Sequence, residues 1–166
     1  RSLDDWLRSE GIPALAGVDT RAVTKLLRSH GTMLGALEPA DADGSLPLVD
    51  PNATDLVATV TVPELTRYDS GAAGAPTVVL LDCGAKASIV RSLLARGMNV
   101  VRVPHDHYFL GLSFDGLVIS NGPGDPTMCR AAIRNLERAL ALDLPILGIC
   151  LGNQLLALAA GAETYK

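Results

Sequence analysis

With 166 residues, 48% of them hydrophobic, the chain is long enough for one ordinary domain or two small units and can bury a core. The charge balance, 14 Lys+Arg against 18 Asp+Glu for a net −4, offers no basic patch for nucleic acid, and no apolar run approaches the ~20 residues of a membrane helix. The opening residues, Arg1-Ser2-Leu3-Asp4-Asp5, lack the apolar stretch of a signal peptide and the initiator Met, so the chain is expected to be an excised piece. Cys83, Cys129 and Cys150 form neither a C-x-x-C nor a metal pattern, which reads as free thiols in a reducing, cytoplasmic setting.

In chain order, Ser2 with Asp5 three residues on resembles a capping box and starts a helix that Gly11 and Pro13 stop. Ala14–Val18 is a possible short strand. Asp19-Thr20 caps a helix over Arg21–His30, apolar at Val23, Leu26 and Leu27 and basic at Arg21, Lys25 and Arg28, a face read as solvated. Thr32–Leu37 can form a strand, Pro39–Pro51 reads as loop, and Asp55–Thr61 is ambiguous between strand and helix, with a short helix capped by Asn52 or Thr54 favoured. The small residues Ser70–Ala75, with Pro76, mark a flexible linker.

From Thr77 onward strands and helices alternate: strand Thr77–Asp82, helix Ala85–Arg96, strand Asn99–Val103, strand Gly116–Ser120, helix Thr127–Leu142 apolar at Ile133, Leu136 and Leu140, strand Ile146–Ile149, then an apolar helix Asn153–Ala160 closed by Gly161. Such alternation predicts an α/β fold, a doubly wound parallel sheet whose ligands bind beyond the C-terminal strand ends. Two glycine-rich loops fall at that edge. Gly148-Ile149-Cys150-Leu151-Gly152 is a G-x-S-x-G nucleophile elbow with Cys in place of Ser; it would lift the thiol above the sheet at a helix N-terminus, where unpaired N–H groups favour the thiolate. The same pattern also suits an ordinary buried Cys in a Gly-flanked turn. Ser120-Asn121-Gly122-Pro123-Gly124-Asp125-Pro126 is either a rigid connection or a loop whose N–H groups face an oxyanion; no G-K-[ST] follows, so it is not a P-loop.

Together, SNGPGDP and GICLGNQ resemble the class I (triad) glutamine amidotransferases, and DTRAVTKLLRSHG with LLDCGAKASIVRSLLARG is similar to the small, glutaminase subunit of carbamoyl-phosphate synthetase. The resemblance implies residues 1–69 as part of a small α/β N-terminal domain, 70–76 as linker, and 77–166 as the first part of a flavodoxin-like amidotransferase domain that is C-terminally incomplete, with an unfinished sheet edge. It implies Cys150 as the nucleophile on the glutamine side-chain amide, and Gly122, Gly124, Leu151 and Gln154 as glutamine and oxyanion contacts. It further implies a γ-glutamyl thioester and delivery of ammonia to a large synthetase subunit, for arginine and pyrimidine biosynthesis. No cofactor or metal is expected in this chain, ATP and metal ions belonging to that partner.

Two departures stand out. The family's catalytic His and orienting Glu lie well beyond the elbow, and no residue here matches them, so this piece alone is expected to be inactive. His105 and His107, after the second strand, are read as loop residues, with a role as base left open. Asn153 replaces the His usual in the family and could cap the elbow helix. Two other readings remain: a non-catalytic scaffold or glutamine-binding subunit of the same complex, and a reactive-Cys hydrolase unrelated to glutamine, against which the SNGPGDP and DTR segments argue.

Overall fold

The computed structural model describes residues 1–38, 40–41, 43–44 and 46–165; the loop reading for Pro39–Pro51 therefore falls partly outside the described residues. The chain forms two compact units, Arg1–Val49 and Asp50–Tyr165. Residues 50–69, expected with the first segment, pack with the second, because Val57 enters its core and Thr66–Tyr68 joins its sheet.

The first unit holds helices α1, Leu3–Ser9, and α2, Thr20–His30. Ser2 and Asp5 complete the capping box: Asp5 N donates to Ser2 Oγ and Ser2 N to Asp5 Oδ2, at 3.1 and 3.2 Å. The Ser2 hydroxyl, also donating to that carboxylate, holds Asp5 below the usual carboxylate range. The strands expected at 14–18 and 32–37 are absent among the described residues. A strand needs a paired neighbour, and none is offered here. No described residue of this unit is buried, so Leu15 and Leu37 stay 66% and 76% exposed.

The second unit contains α3, Leu56–Val60; β1, Thr66–Tyr68; β2, Thr77–Asp82; α4, Ala87–Leu94; β3, Asn99–Pro104; β4, Gly116–Ile119; α5, Arg130–Ala139; β5, Ile146–Gly148; and α6, Leu151–Ala159. The sheet order is β1-β3-β2-β4-β5. All pairings are parallel except β1 with β3, which run antiparallel with Arg67 opposite Val101. Successive strand side chains point to opposite faces. Val79, Leu81, Val101, Val103, Leu117 and Ile119 therefore form one core with residues of α3, α5 and α6, while Val78, Leu80, Val100 and Val118 form the other with Val90 of α4. Helices on both faces make the fold the doubly wound α/β sheet that the strand–helix alternation predicts.

Local boundaries differ where side chains compete for the ends. Asp55, rather than Asn52 or Thr54, caps α3, accepting from Ala58 N at 3.2 Å. The helix expected from Thr127 begins at Arg130, because Pro126–Met128 forms a separate 3-10 turn capped by Asp125. Its buried positions are Ala132, Asn135, Leu136 and Ala139, with Ile133 partly buried against the same core; Leu140 lies past its end and is 42% exposed. The expected linker is pinned at its start, where Ser70 N and Oγ donate to Asn99 Oδ1 at 3.0 and 3.1 Å.

Candidate active site

The order β3-β2-β4 means that the chain leaves β2 first to one side and then to the other. The C-terminal ends of β2 and β4 therefore flank a topological switch point, the usual place for a ligand crevice in such sheets. The loop 83–86 follows β2, the Gly122–Gly124 rim follows β4, and the Cys150 elbow follows β5.

Cys150 is the N-cap of α6, so the helix starts at Leu151, two residues before the expected Asn153; Asn153 lies inside it, its N–H donating to Cys150 O at 3.0 Å. The cysteine has φ 54° and ψ −109°, alone among the described non-glycine residues in having a positive φ, and its side chain is exposed. The two elbow glycines serve space rather than φ. A Cβ on Gly148 would lie 2.6 Å from Asn153 N, and one on Gly152 would collide with the Ile119 carbonyl. The turn is so tight that strand and helix backbones touch, and the strain falls on the residue between them.

Elbow and rim are stitched together. Ile149 N donates to Ile119 O at 2.9 Å and Gly152 N to Ser120 O at 3.1 Å. A Cβ on Gly122 would strike the Cys83 carbonyl and come within 2.6 Å of Leu151 Cδ2, so the buried Leu151 side chain packs directly beneath the rim. In the first turn of α6, the N–H groups of Gly152, Asn153 and Gln154 have acceptors, whereas that of Leu151 has none among the described residues. The same holds for Gly122 and Gly124, and Pro123 has no N–H to offer. A helix start leaves such donors over, and a donor without a partner is free to bind a ligand oxygen. Of the residues singled out by sequence, Gly122 and Leu151 thus touch, and Cys150 directly precedes Leu151 at the start of α6. Gly124 closes the rim against the Leu56 side chain, at 3.2 Å from its would-be Cβ, and Gln154 is exposed on the first turn of α6.

His105 is occupied elsewhere. His105 is 7% exposed, its Nε2 lies 3.5 Å from Asp55 Oδ2, and its backbone N–H donates to Thr61 Oγ1. Neither its ring nor that of His107 is hydrogen-bonded to Cys150. The other two cysteines are buried and unpaired. Burial first, then the neighbouring Cys129, Asp82 and Asp55, pushes the Cys83 thiol far up. Burial and Asp55, whose carboxylate lies 3.9 Å from Sγ, push Cys129 up to about 12. Among the described residues no cluster of His, Cys, Asp and Glu could hold a metal ion, and no helix is long and apolar enough to cross a membrane.

Sequence patterns alone missed the support behind the loops. Asp82, fully buried at the end of β2, pairs with Arg102 at 2.9 Å and accepts N–H bonds from Val62, Gly84 and Ala85. Asn121 bridges the rim to the loop after β2. An Asp closing a buried strand and a polar residue just ahead of a Gly-Pro turn were the only signals for either.

Comparison with known families matches residues 79–166 to "Glutamine amidotransferase class-I" and residues 1–37 to "Carbamoyl-phosphate synthase small chain, CPSase domain". Among curated relatives, the "Multifunctional protein CAD" of Squalus acanthias is 47% identical across 100% of this chain and 7% of its own length. The "Carbamoyl phosphate synthase arginine-specific small chain" of Saccharomyces cerevisiae is 45% identical, covering 99% of this chain and 42% of its own. The human "Carbamoyl-phosphate synthase [ammonia], mitochondrial" is 42% identical over 100% of this chain and 11% of its own. The chain thus spans less than half the length of these relatives.

Proposed function

The chain belongs to the class-I glutamine amidotransferases, with the small-chain domain of carbamoyl-phosphate synthase matched ahead of that region, and on this premise we propose that Cys150 hydrolyses the side-chain amide of glutamine. The observation that carries the reading is the exposed thiol in a strained left-handed turn, followed by a Leu151 that packs against Gly122, with the N–H groups of Gly122, Gly124 and Leu151 lacking acceptors among the described residues. Amide cleavage needs a nucleophile, stabilisation of the tetrahedral oxygen and a proton for leaving ammonia. Cys150 supplies the first, attacking the amide carbon; the three N–H groups receive the oxygen as it gains charge. Ammonia departs as the C–N bond breaks, a γ-glutamyl thioester remains, and water releases glutamate and the thiol.

The proton donor is assigned to none of residues 1–166, since His105 is engaged by Asp55 and His107 makes no bond to Cys150. The 166 residues by themselves are therefore expected to turn over poorly. Gln154, exposed on the first turn of α6, is assigned to the glutamine ligand. Ammonia would pass to a large carbamoyl-phosphate synthase subunit that holds ATP and metal ions, this chain itself using neither. The small-chain relatives support that partner and an arginine-linked role. Free thiols fit a reducing compartment such as the cytoplasm, although one relative is named as mitochondrial.

A second reading has its own observation: a relative 42% identical is named for ammonia. A scaffold role without hydrolysis would follow if the elbow thiol were idle. In the full-length protein, a glutamine-like chloroketone should label Cys150 selectively and stop ammonia release, and Cys150→Ser should abolish it. An unlabelled Cys150 would favour the scaffold.

A further inference from the structure

Besides its ties to the elbow, the rim is held by a cross-brace to the loop after β2. Lys86 N donates to Asn121 Oδ1 at 3.2 Å, and Asn121 Nδ2 donates to Gly84 O at 3.1 Å. A backbone N–H can only donate and a carbonyl can only accept, so these two partners fix which way the Asn121 amide points. Ser120, fully buried, adds a second tie: Cys83 N donates to Ser120 Oγ at 2.9 Å, and that hydroxyl donates to Asn121 O at 2.7 Å. The far side of the brace is anchored in turn. Asp82 Oδ1 accepts from Gly84 N and Ala85 N at 3.0 and 2.6 Å, and Asp82 Oδ2 is held by Arg102. Loop and rim also touch: a Cβ on Gly84 would lie 3.4 Å from Pro123 Cδ and 3.7 Å from Gly122 Cα.

We propose that Asn121 is a positioning residue of this site, its carboxamide clamping the Gly122–Gly124 rim to the loop after β2 so that the free rim N–H groups keep a fixed place beside Cys150. The hydrogen bonds of the Asn121 carboxamide run to backbone groups of the loop after β2, not to Cys150. The clamp acts on the oxyanion donors, which count only when held rigidly where charge develops. Its catalytic consequence rests on the glutaminase reading; its structural consequence does not.

The test uses the full-length protein with Asn121→Ala and Asn121→Asp. The aspartate keeps an acceptor for Lys86 N–H but loses the donor to Gly84 O, and serves if the alanine variant folds poorly. Backbone 15N order parameters at Gly122 and Gly124 should fall from about 0.85 to below about 0.6 in Asn121→Ala, and less far in Asn121→Asp. Glutaminase kcat should fall ~10–100-fold with KM within about threefold, the signature of a displaced transition-state donor. Iodoacetamide should alkylate Cys150 within about threefold of the wild-type rate, showing the nucleophile intact. A rim that stays rigid in both variants overturns the proposal. So does a loosened rim with unchanged kcat, or a loss carried wholly by KM. A wild-type protein without glutaminase activity, whose rim nonetheless loosens on Asn121→Ala, would sink the glutaminase reading and leave the clamp supported.

Discussion

Replacing Cys150 by glycine should make the protein more stable than replacing it by alanine. The backbone at Cys150 stands at φ 54° and ψ −109°, where a Cβ is crowded. Holding a non-glycine residue in such a region costs of order 1–3 kcal/mol. Glycine is free of that cost but is disfavoured relative to alanine by about 0.5–1 kcal/mol through the greater freedom of its unfolded chain. The difference leaves glycine ahead by about 1 kcal/mol. Because the side chain is exposed, truncation to alanine removes little packing, and the two variants differ mainly in φ tolerance. Urea unfolding of the full-length protein reads the result. At an m-value of ~2 kcal/mol/M, the glycine midpoint should lie about 0.5 M above the alanine midpoint with m unchanged. Both variants should lack glutaminase activity. An alanine variant as stable as the glycine variant would refute the claim that the elbow stores strain at its nucleophile.

Other expectations follow from the same contacts. Gly122→Ala drives a Cβ into the Cys83 carbonyl and to 2.6 Å from Leu151 Cδ2; we expect a loss of about 1–3 kcal/mol in stability and ~100-fold in kcat, with Cys150 still alkylated. Thiol titration of residues 1–166 should find one fast group, Cys150, in the native state and three in urea, since Cys83 and Cys129 are buried with their thiols held protonated. The raised thiols also set a pH dependence. Unfolding lets Cys83 and Cys129 titrate near 9.0, while in the folded protein they hold their protons to about 12 or beyond. Their stabilisation is complete below pH 9.0 and is lost as pH rises toward about 12, at up to ~1.4 kcal/mol per pH unit per thiol; a urea midpoint that rose above pH 9 would contradict the burial of these groups. Asp82→Ala strands Arg102 and three N–H groups, and calorimetry should show destabilisation of about 3–5 kcal/mol.

Most of the second unit was legible because its signals are local. Runs such as Thr77–Asp82 leave no alternative to a strand buried on both faces, and Gly-x-Cys-x-Gly after such a run announces a strand-to-helix turn. What the glycines do was less legible. Gly148 and Gly152 are needed for clearance and Cys150 takes the unusual φ, neither of which the spacing of the glycines tells. That residues 50–69 pack with the second unit was not legible, because the link at 70–76 is rich in small residues, while membership of β1 depends on a partner, β3, over thirty residues away in sequence. The short runs at 14–18 and 32–37 were read as possible strands, but a local run cannot supply the neighbour that a strand must pair with. Asn121 escaped notice for the same reason: its partners, Gly84 and Lys86, come from another loop.

The most direct test of the account is to trap the covalent intermediate. Full-length protein mixed with labelled glutamine and quenched in acid should carry a γ-glutamyl group on the peptide containing Cys150, absent from Cys150→Ser and removed by hydroxylamine. Ammonia release with no label on that peptide, or label on Cys83 or Cys129 instead, would contradict it.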